Sequence, residues 1–187
     1  RIGRARGRGM IGYEGIDRNF KFLVLEVQKQ LESTFELLRR PKDSLVRSIL
    51  SRDNYTDTLK TLIEKKCISY FRHTPGMDHS SANWVQAINV ATTNLERIGD
   101  FCANVAQQVR KISDPVFLQQ FDFNPYFEKL LEAVKMAADV LESVDTGTAL
   151  QLCRVERSLD ELYRNDFQTI RDALKSGGDT DHYLAAL

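Results

Sequence analysis

The chain has 187 residues, and its 26 lysines and arginines balance 26 aspartates and glutamates, so the formal net charge is zero. This balance argues against a nucleic-acid-binding protein, which usually carries a basic excess, and gives no reason to expect an anionic membrane as the main partner. With 28% charged residues, 4 prolines and 10 glycines, the composition is typical of a soluble helical protein. The purely apolar runs are only a few residues long, whereas a membrane span needs about 20.

Turn signals divide the first half of the chain into three helical stretches. Residues 1–15, rich in arginine and glycine, are predicted to form a flexible arm, and the first helix is predicted over residues 16–38, before Pro41. The second is predicted over residues 43–71 and the third over residues 80–111, with a turn at residues 74–76 between them. The third helix carries apolar residues in alternating steps of four and three, as in a long packed helix, at Trp84, Ile88, Ala91, Leu95, Ile98, Cys102, Val105 and Val109.

The second half of the chain contains three further helical patterns. Asn124 and Pro125 open the fourth helix, which residues 145–147 close. The fifth is predicted over residues 148–174, and Asp181 caps a sixth apolar pattern over residues 183–187. No segment shows the sustained alternation that is typical of a strand. The sequence therefore predicts an all-α antiparallel bundle with short connections.

The cysteines and the first residues of the chain indicate the cellular compartment of the protein. Cys67, Cys102 and Cys153 are far apart and form no C-x-x-C pair. An odd number of unpaired thiols fits a reducing environment, and the first residues lack the pattern of a secretory signal peptide. We therefore expect a cytoplasmic protein.

Three predicted helices carry an acidic residue followed four positions later by an aspartate. Residues at this spacing share one helix face, where like charges are mildly destabilising. These pairs stand in or beside the apolar stripes, and carboxylates at the edge of a core must be paired, protonated or bound to metal. Oxygen ligands suit hard or borderline ions, so we expect bound iron, zinc, manganese or magnesium. The predicted ligands are Asp53 and Asp57, Glu96 and Asp100, and Glu156 and Asp160.

No catalytic pattern accompanies these pairs. A di-iron oxidase of the ferritin type would need Glu-x-x-His, but the residue three positions after Glu96 is Gly99, which with Ala103 leaves room for close helix approach. The histidines lie near helix ends and loops, at His73, His79 and His182. A phosphate-binding glycine loop and a nucleophile–base spacing are also missing. We expect binding and no enzymatic activity, and a carboxylate-bridged metalloenzyme is the least favoured alternative.

The order of the helices indicates an internal repeat. One plain helix is followed by two that each carry an acidic pair, so residues 16–112 are predicted to form a first three-helix repeat. Residues 124–187 then form a second repeat, in which Glu156 corresponds to Asp53. By this register the final acidic pair falls beyond Leu187, so we expect the second repeat to be truncated before its last motif.

Residues 94–106, with the sequence NLERIGDFCANVA, resemble the signature of the PhoU family. The resemblance extends over residues 20–187 and includes the two-repeat plan. It implies a six-helix bundle in which acid-x-x-x-Asp motifs bind metal clusters. It also implies a regulator of phosphate uptake that works with a phosphate transporter component or a sensor kinase.

Two departures from the family pattern accompany the resemblance. The Asp-Leu-Arg that often follows the proline before the third helix is replaced by residues 78–80, Asp-His-Ser, and Asp53 stands where glutamate is also common. Related domains form the cytoplasmic tail of sodium–phosphate cotransporters, and this is the alternative interpretation. A homodimer and association with the membrane through a transporter are left open by the sequence.

Overall fold

A computed structural model describes residues 10–112, 114–143, 145–178, 180 and 183. These residues form helices and, within those ranges, no strand, which confirms the all-α prediction. The elements are α1 (Met10–Arg39), α2 (Asp43–His73), α3 (His79–Val109), a short 3-10 helix (Pro115–Gln120), α4 (Asn124–Ser143) and α5 (Thr146–Lys175). Residues 1–9 of the predicted arm, Asp181 and residues 184–187 of the predicted sixth helix lie outside the described residues.

Two helix starts differ from the sequence prediction, and each has a local cause. The first helix begins at Met10, within the predicted arm, and the Tyr13 ring stacks on Trp84 with the ring centroids 4.0 Å apart. That contact gives the first turns a packing partner that composition does not reveal. Asp145 caps α5 and does not close α4, because its carboxylate accepts a hydrogen bond from the Thr148 backbone N–H at 2.7 Å.

The core lies among the first three helices, which all pack against one another. The apolar stripe predicted for α3 is confirmed, since its residues are buried or packed against the buried cluster. Leu95 is buried, and Trp84 is half-buried with its indole N–H donating to the Leu141 carbonyl at 3.1 Å. The fourth helix packs against α1 and α3, so α1 is covered on several sides.

The fifth helix is less enclosed than the others. It packs mainly on α4, and Ile170 is its one fully buried side chain among those described. Leu150, Tyr163 and Phe167 on the same helix are exposed. None of the described helices is both long and apolar enough to cross a bilayer.

Candidate metal centre

The acidic pair of α2 lies at an interruption in that helix's buried face. Large apolar side chains are buried before and after this point, but Thr56 is the fully buried residue within it. The Thr56 hydroxyl donates to the Asp53 carbonyl at 2.8 Å, so its polar group is satisfied within the helix. Asp53 and Asp57 flank this small residue, and α2 therefore exchanges apolar packing for carboxylates where it faces α3.

A glycine allows α3 to approach its neighbours at the same level. A Cβ atom built on Gly99 would lie 2.9 Å from the Gln30 side-chain oxygen and 3.3 Å from the Thr56 hydroxyl oxygen. Any larger residue would have to displace these buried groups. The close approach predicted for Gly99 is confirmed, and it brings Glu96, almost one turn before Gly99, and Asp100, the next residue, against α2.

Three of the predicted ligands meet at this crossing. Carboxylate oxygens of Asp57, Glu96 and Asp100 all lie within 4.8 Å of one another, and we call these three residues the acidic cluster. Glu96 is buried, whereas Asp57 reaches solvent. Oxygen ligands of divalent ions stand at about 2.0–2.6 Å, so two oxygens on opposite sides of one ion are about 4–5 Å apart. The spacing and the all-oxygen donor set therefore fit a hard or borderline cation.

The electrostatics of the acidic cluster favour added positive charge. Burial raises the pKa of Asp57, and a hydrogen bond with Glu96 and the charges of Glu96 and Asp100 raise it further. The pKa of Asp100 is also raised, first by burial and then by the charges of Glu96 and Asp53. These carboxylates hold protons more tightly than free aspartates because their surroundings do not offset their mutual repulsion. A bound cation would remove the same repulsion.

Asp53 lies beside the acidic cluster and is held by a residue of α1 that the sequence analysis missed. Gln30 is fully buried, and its amide N–H groups donate to the Asp53 carboxylate at 3.3 Å and to the Gly99 carbonyl at 3.0 Å. Burial raises the pKa of Asp53, and the hydrogen bond from Gln30 opposes that change. One signal was available in the sequence, because Gln30 lies three positions after Val27 and directly before Leu31, two apolar residues of the same predicted helix.

The Gln30 side-chain oxygen is buried and, within the described part of the chain, has no hydrogen-bond partner. An unsatisfied buried acceptor is costly. The N–H groups of the same amide offset this cost in part, because they join α1 to the acidic motifs of α2 and α3.

Lys60 supplies a positive charge to the acidic cluster, and the sequence analysis missed it as well. Its ammonium donates to a Glu96 carboxylate oxygen at 2.7 Å, and this hydrogen bond raises the pKa of Lys60. Lys60 comes three positions after Asp57, so the two share one helix face. One lysine among 26 basic residues carries no signal by itself, and only the position of α3 singles it out.

The acidic pair of α5 has a different environment. Glu156 and Asp160 are both exposed, and a guanidinium nitrogen of Arg164 lies 3.9 Å from an Asp160 oxygen. No set of three potential metal ligands gathered within 4.8 Å includes them, as far as the described residues go. The structure thus brings Asp53, Asp57, Glu96 and Asp100 together and leaves Glu156 and Asp160 as a separate surface pair.

A groove with a volume of about 430 Å³ lies away from the acidic cluster, between α3 and α5. Its lining is largely apolar and includes the exposed aromatic side chains of Phe101, Tyr163 and Phe167. Its polar contact is a hydrogen bond from the Tyr126 hydroxyl to the Asp166 carboxylate at 2.7 Å. The groove has apolar area but no gathered charge, so the acidic cluster is the stronger candidate for a functional site.

The acidic cluster lies in a segment of the chain that matches a known family model. The family model described as "PhoU domain" matches residues 23–109, which include Asp53, Asp57, Glu96 and Asp100. The Thermotoga maritima phosphate-specific transport system accessory protein PhoU homolog 1 is 24% identical over 84% of this chain and 68% of its own length. Proteins described as phosphate-specific transport system accessory protein PhoU homolog are 20% identical in Clostridium acetobutylicum and 23% identical in Zymomonas mobilis.

The matches to these two proteins cover 76% and 75% of this chain, and 66% and 59% of the homologues' own lengths. The chain therefore spans about two thirds of the length of the curated relatives it matches.

Proposed function

We propose that this chain, in which residues 23–109 match the PhoU domain as its resemblance to the PhoU family predicts, is an accessory regulator of phosphate transport. We also propose that it binds a divalent metal or iron at the acidic cluster. The observation that carries the proposal is the meeting of the α2 and α3 acidic motifs, within the matched segment, at one crossing of two helices. The relatives named above support the phosphate-transport context.

Asp57, Glu96 and Asp100 would hold the ion directly, because their oxygens already lie within the span of one coordination sphere. Asp53 would support them from the adjoining turn of α2, where Gln30 orients its carboxylate. All these ligands are oxygens, so iron, manganese, magnesium and zinc are the candidates to measure. When bound, such an ion supplies positive charge that attracts a phosphate or a carboxylate of a partner protein.

The proposed mode of action is binding, without catalysis. Asp57 reaches solvent, so one side of the acidic cluster is accessible to a partner, while Glu96 anchors the other side in the core. The partner we propose is a phosphate transporter component or a sensor kinase, met in the cytoplasm. No histidine lies among the gathered ligands, which argues against a di-iron oxidase site.

Elemental analysis tests the metal proposal with a control that the chain itself provides. The protein should be purified without chelator as the wild type, as the double variant Glu96→Gln/Asp100→Asn, and as the matched variant Glu156→Gln/Asp160→Asn. We expect the first variant to lose most of the bound metal and the second to retain it. Equal metal content in all three proteins would contradict binding at the acidic cluster.

Affinity purification tests the regulatory proposal separately. The tagged protein should capture a phosphate-transport component from phosphate-replete cells, and either a chelator or Glu96→Gln should reduce the capture. Equal capture with and without chelator would show that the partner contacts another surface. Failure to capture any such component would contradict the assignment to phosphate transport.

A further inference from the structure

We propose that Lys60 is a tethered counter-ion of the acidic cluster, which competes with a bound metal ion and has to leave Glu96 when the metal binds. The inference rests on the proposed function, since it concerns how the same site is regulated. It identifies a residue that stabilises the metal-free form and thereby sets the metal affinity.

The first argument is the position of the charge. Lys60 Nζ lies 2.7 Å from Glu96 Oε1, and the Glu96 side chain is only 9% exposed. The Glu96 carboxylate, which belongs to the acidic cluster, therefore faces α2 more than water. The Lys60 ammonium is therefore hydrogen-bonded to one of the three carboxylates that would bind a metal ion.

The second argument is that the ammonium and a metal ion compete for the same carboxylate. The hydrogen bond from Lys60 is strong because both groups are charged, and a metal ion on either oxygen of the Glu96 carboxylate would weaken it by drawing negative charge away from Oε1. Two positive charges a few ångströms apart also repel strongly where water is partly excluded. Metal binding at Glu96 therefore has to overcome the ion pair with Lys60.

The third argument is that Lys60 has somewhere to go. Its side chain is 27% exposed, so its charged end is already near the surface. The lysine stem has four flexible methylene groups, and the ammonium is strongly hydrated in water. Release of Lys60 into solvent requires no movement of α2 or α3, which makes the exchange compatible with a fixed helix crossing.

A purely structural role predicts the opposite effect on metal binding. If Lys60 only joins α2 to α3, its removal would loosen Glu96 and leave the metal affinity unchanged or weaker. If Lys60 competes with the metal, its removal frees Glu96 and strengthens binding. Metal affinity therefore separates the two roles, whereas thermal stability alone does not.

The test is a titration of Mn²⁺ into the chelator-treated 187-residue chain, for the wild type and for Lys60→Met. We expect Lys60→Met to bind Mn²⁺ about tenfold more tightly, since a hydrogen bond to a charged group is lost only from the metal-free form. Lys65→Met is the matched control, because Lys65 is an exposed lysine of the same helix. Its affinity should equal that of the wild type.

Lys60→Gln is a second variant, which keeps a hydrogen-bond donor next to Glu96 without the positive charge. It should also bind Mn²⁺ more tightly, and circular dichroism should show that both variants remain helical. If both variants bind with equal or lower affinity than the wild type, the inference is wrong while the metal site stands. If none of the proteins binds Mn²⁺, both the proposed metal site and the role of Lys60 are wrong.

Discussion

The acidic pairs on α2 and α3 and the acidic pair on α5 share one spacing but differ in every feature that makes a site. The first two pairs meet at a helix crossing, where Glu96 is buried and Lys60 and Gln30 contact the carboxylates. The α5 pair is exposed, with Arg164 near Asp160. The four-residue spacing places two carboxylates on one face of a helix. The acidic cluster also needs carboxylates from a second helix packed against the first.

The difference follows from which helices are enclosed. The first three helices pack on one another, and Gly99 lets α3 come close enough to join the two acidic motifs. The fifth helix packs mainly on α4 and has one fully buried side chain among those described, Ile170. Glu156 therefore has no second acidic helix against it in the described part of the molecule.

The largest expected effect on stability tests whether α3 is packed more tightly than α5. Leu95→Ala on α3 should lower the free energy of unfolding by about 2–5 kcal/mol, because Leu95 is buried in the core. Leu159→Ala on α5 should cost distinctly less, since Leu159 is only half-buried. Urea unfolding of both variants in chelator measures the two values. Equal losses would mean that α5 is as tightly packed as α3.

Alanine substitutions at two glycines, one in α3 and one in α5, should give the next largest effect on stability. Gly99→Ala should destabilise the protein by about 1–3 kcal/mol, since the new Cβ atom would press on buried Gln30. Gly147→Ala, in the first turn of α5, should cost less, because the new Cβ atom would lie 3.2 Å from an oxygen of the exposed Asp145 carboxylate, which can shift, and because alanine favours a helix. Gly99→Ala should also weaken metal binding, which elemental analysis can detect. A harmless Gly99→Ala would contradict the close approach of α3 to α1.

Removing the positively charged residue should cost more stability in the Lys60–Glu96 ion pair than in the Arg164–Asp160 ion pair. In metal-free protein, Lys60→Met should cost about 1–3 kcal/mol, because it leaves the buried Glu96 carboxylate without its partner. Arg164→Met should change stability by less than about 0.5 kcal/mol, since its partner Asp160 is exposed and the contact is long. Thermal unfolding at fixed pH compares them. A larger loss for Arg164→Met would reverse the ranking of the two regions.

The pH dependence of stability should give the smallest effect. The raised pKa values of Asp53, Asp57 and Asp100 mean that the folded protein binds protons more tightly than the unfolded chain. This contribution to stability is fully present below the ordinary aspartate pKa of about 3.9 and is lost as the pH rises through the raised values. Metal-free protein should therefore gain this contribution to stability as the pH falls through the raised pKa values towards about 3.9.

Two single variants assign this pH dependence to its source. Asp57→Asn should reduce the gain in stability on acidification, because it removes one of the groups with a raised pKa. Asp160→Asn on α5 should leave it unchanged. An identical pH profile for the wild type and Asp57→Asn would mean that the acidic cluster does not carry the effect.

Much of the fold could be predicted from the sequence because helix periodicity is a local property. The apolar stripe of α3 and the ends of α2 follow from residue spacing and turn residues, and the structure agrees with both. The start of α1 was missed because it depends on a contact between Tyr13 and Trp84, which are far apart in the chain.

The candidate site could be predicted only in part. The acidic spacing and the small residue Gly99 identified the motifs of α2 and α3 from the sequence alone. Gln30 and Lys60 could not be assigned to the site, because their roles depend on which helices are neighbours. The same spacing also selected Glu156 and Asp160, since a periodic pattern does not reveal whether a second acidic helix lies opposite.

Paramagnetic line broadening by Mn²⁺ tests the central claim most directly, because it locates the bound ion in the folded protein. Substoichiometric Mn²⁺ should be added to isotopically labelled, chelator-treated protein while backbone amide signals are recorded. We expect the strongest broadening at residues 53–60 of α2 and 96–100 of α3, with little at residues 156–160 of α5. Broadening centred on residues 156–160, or none at all, would contradict a metal site at the crossing of α2 and α3.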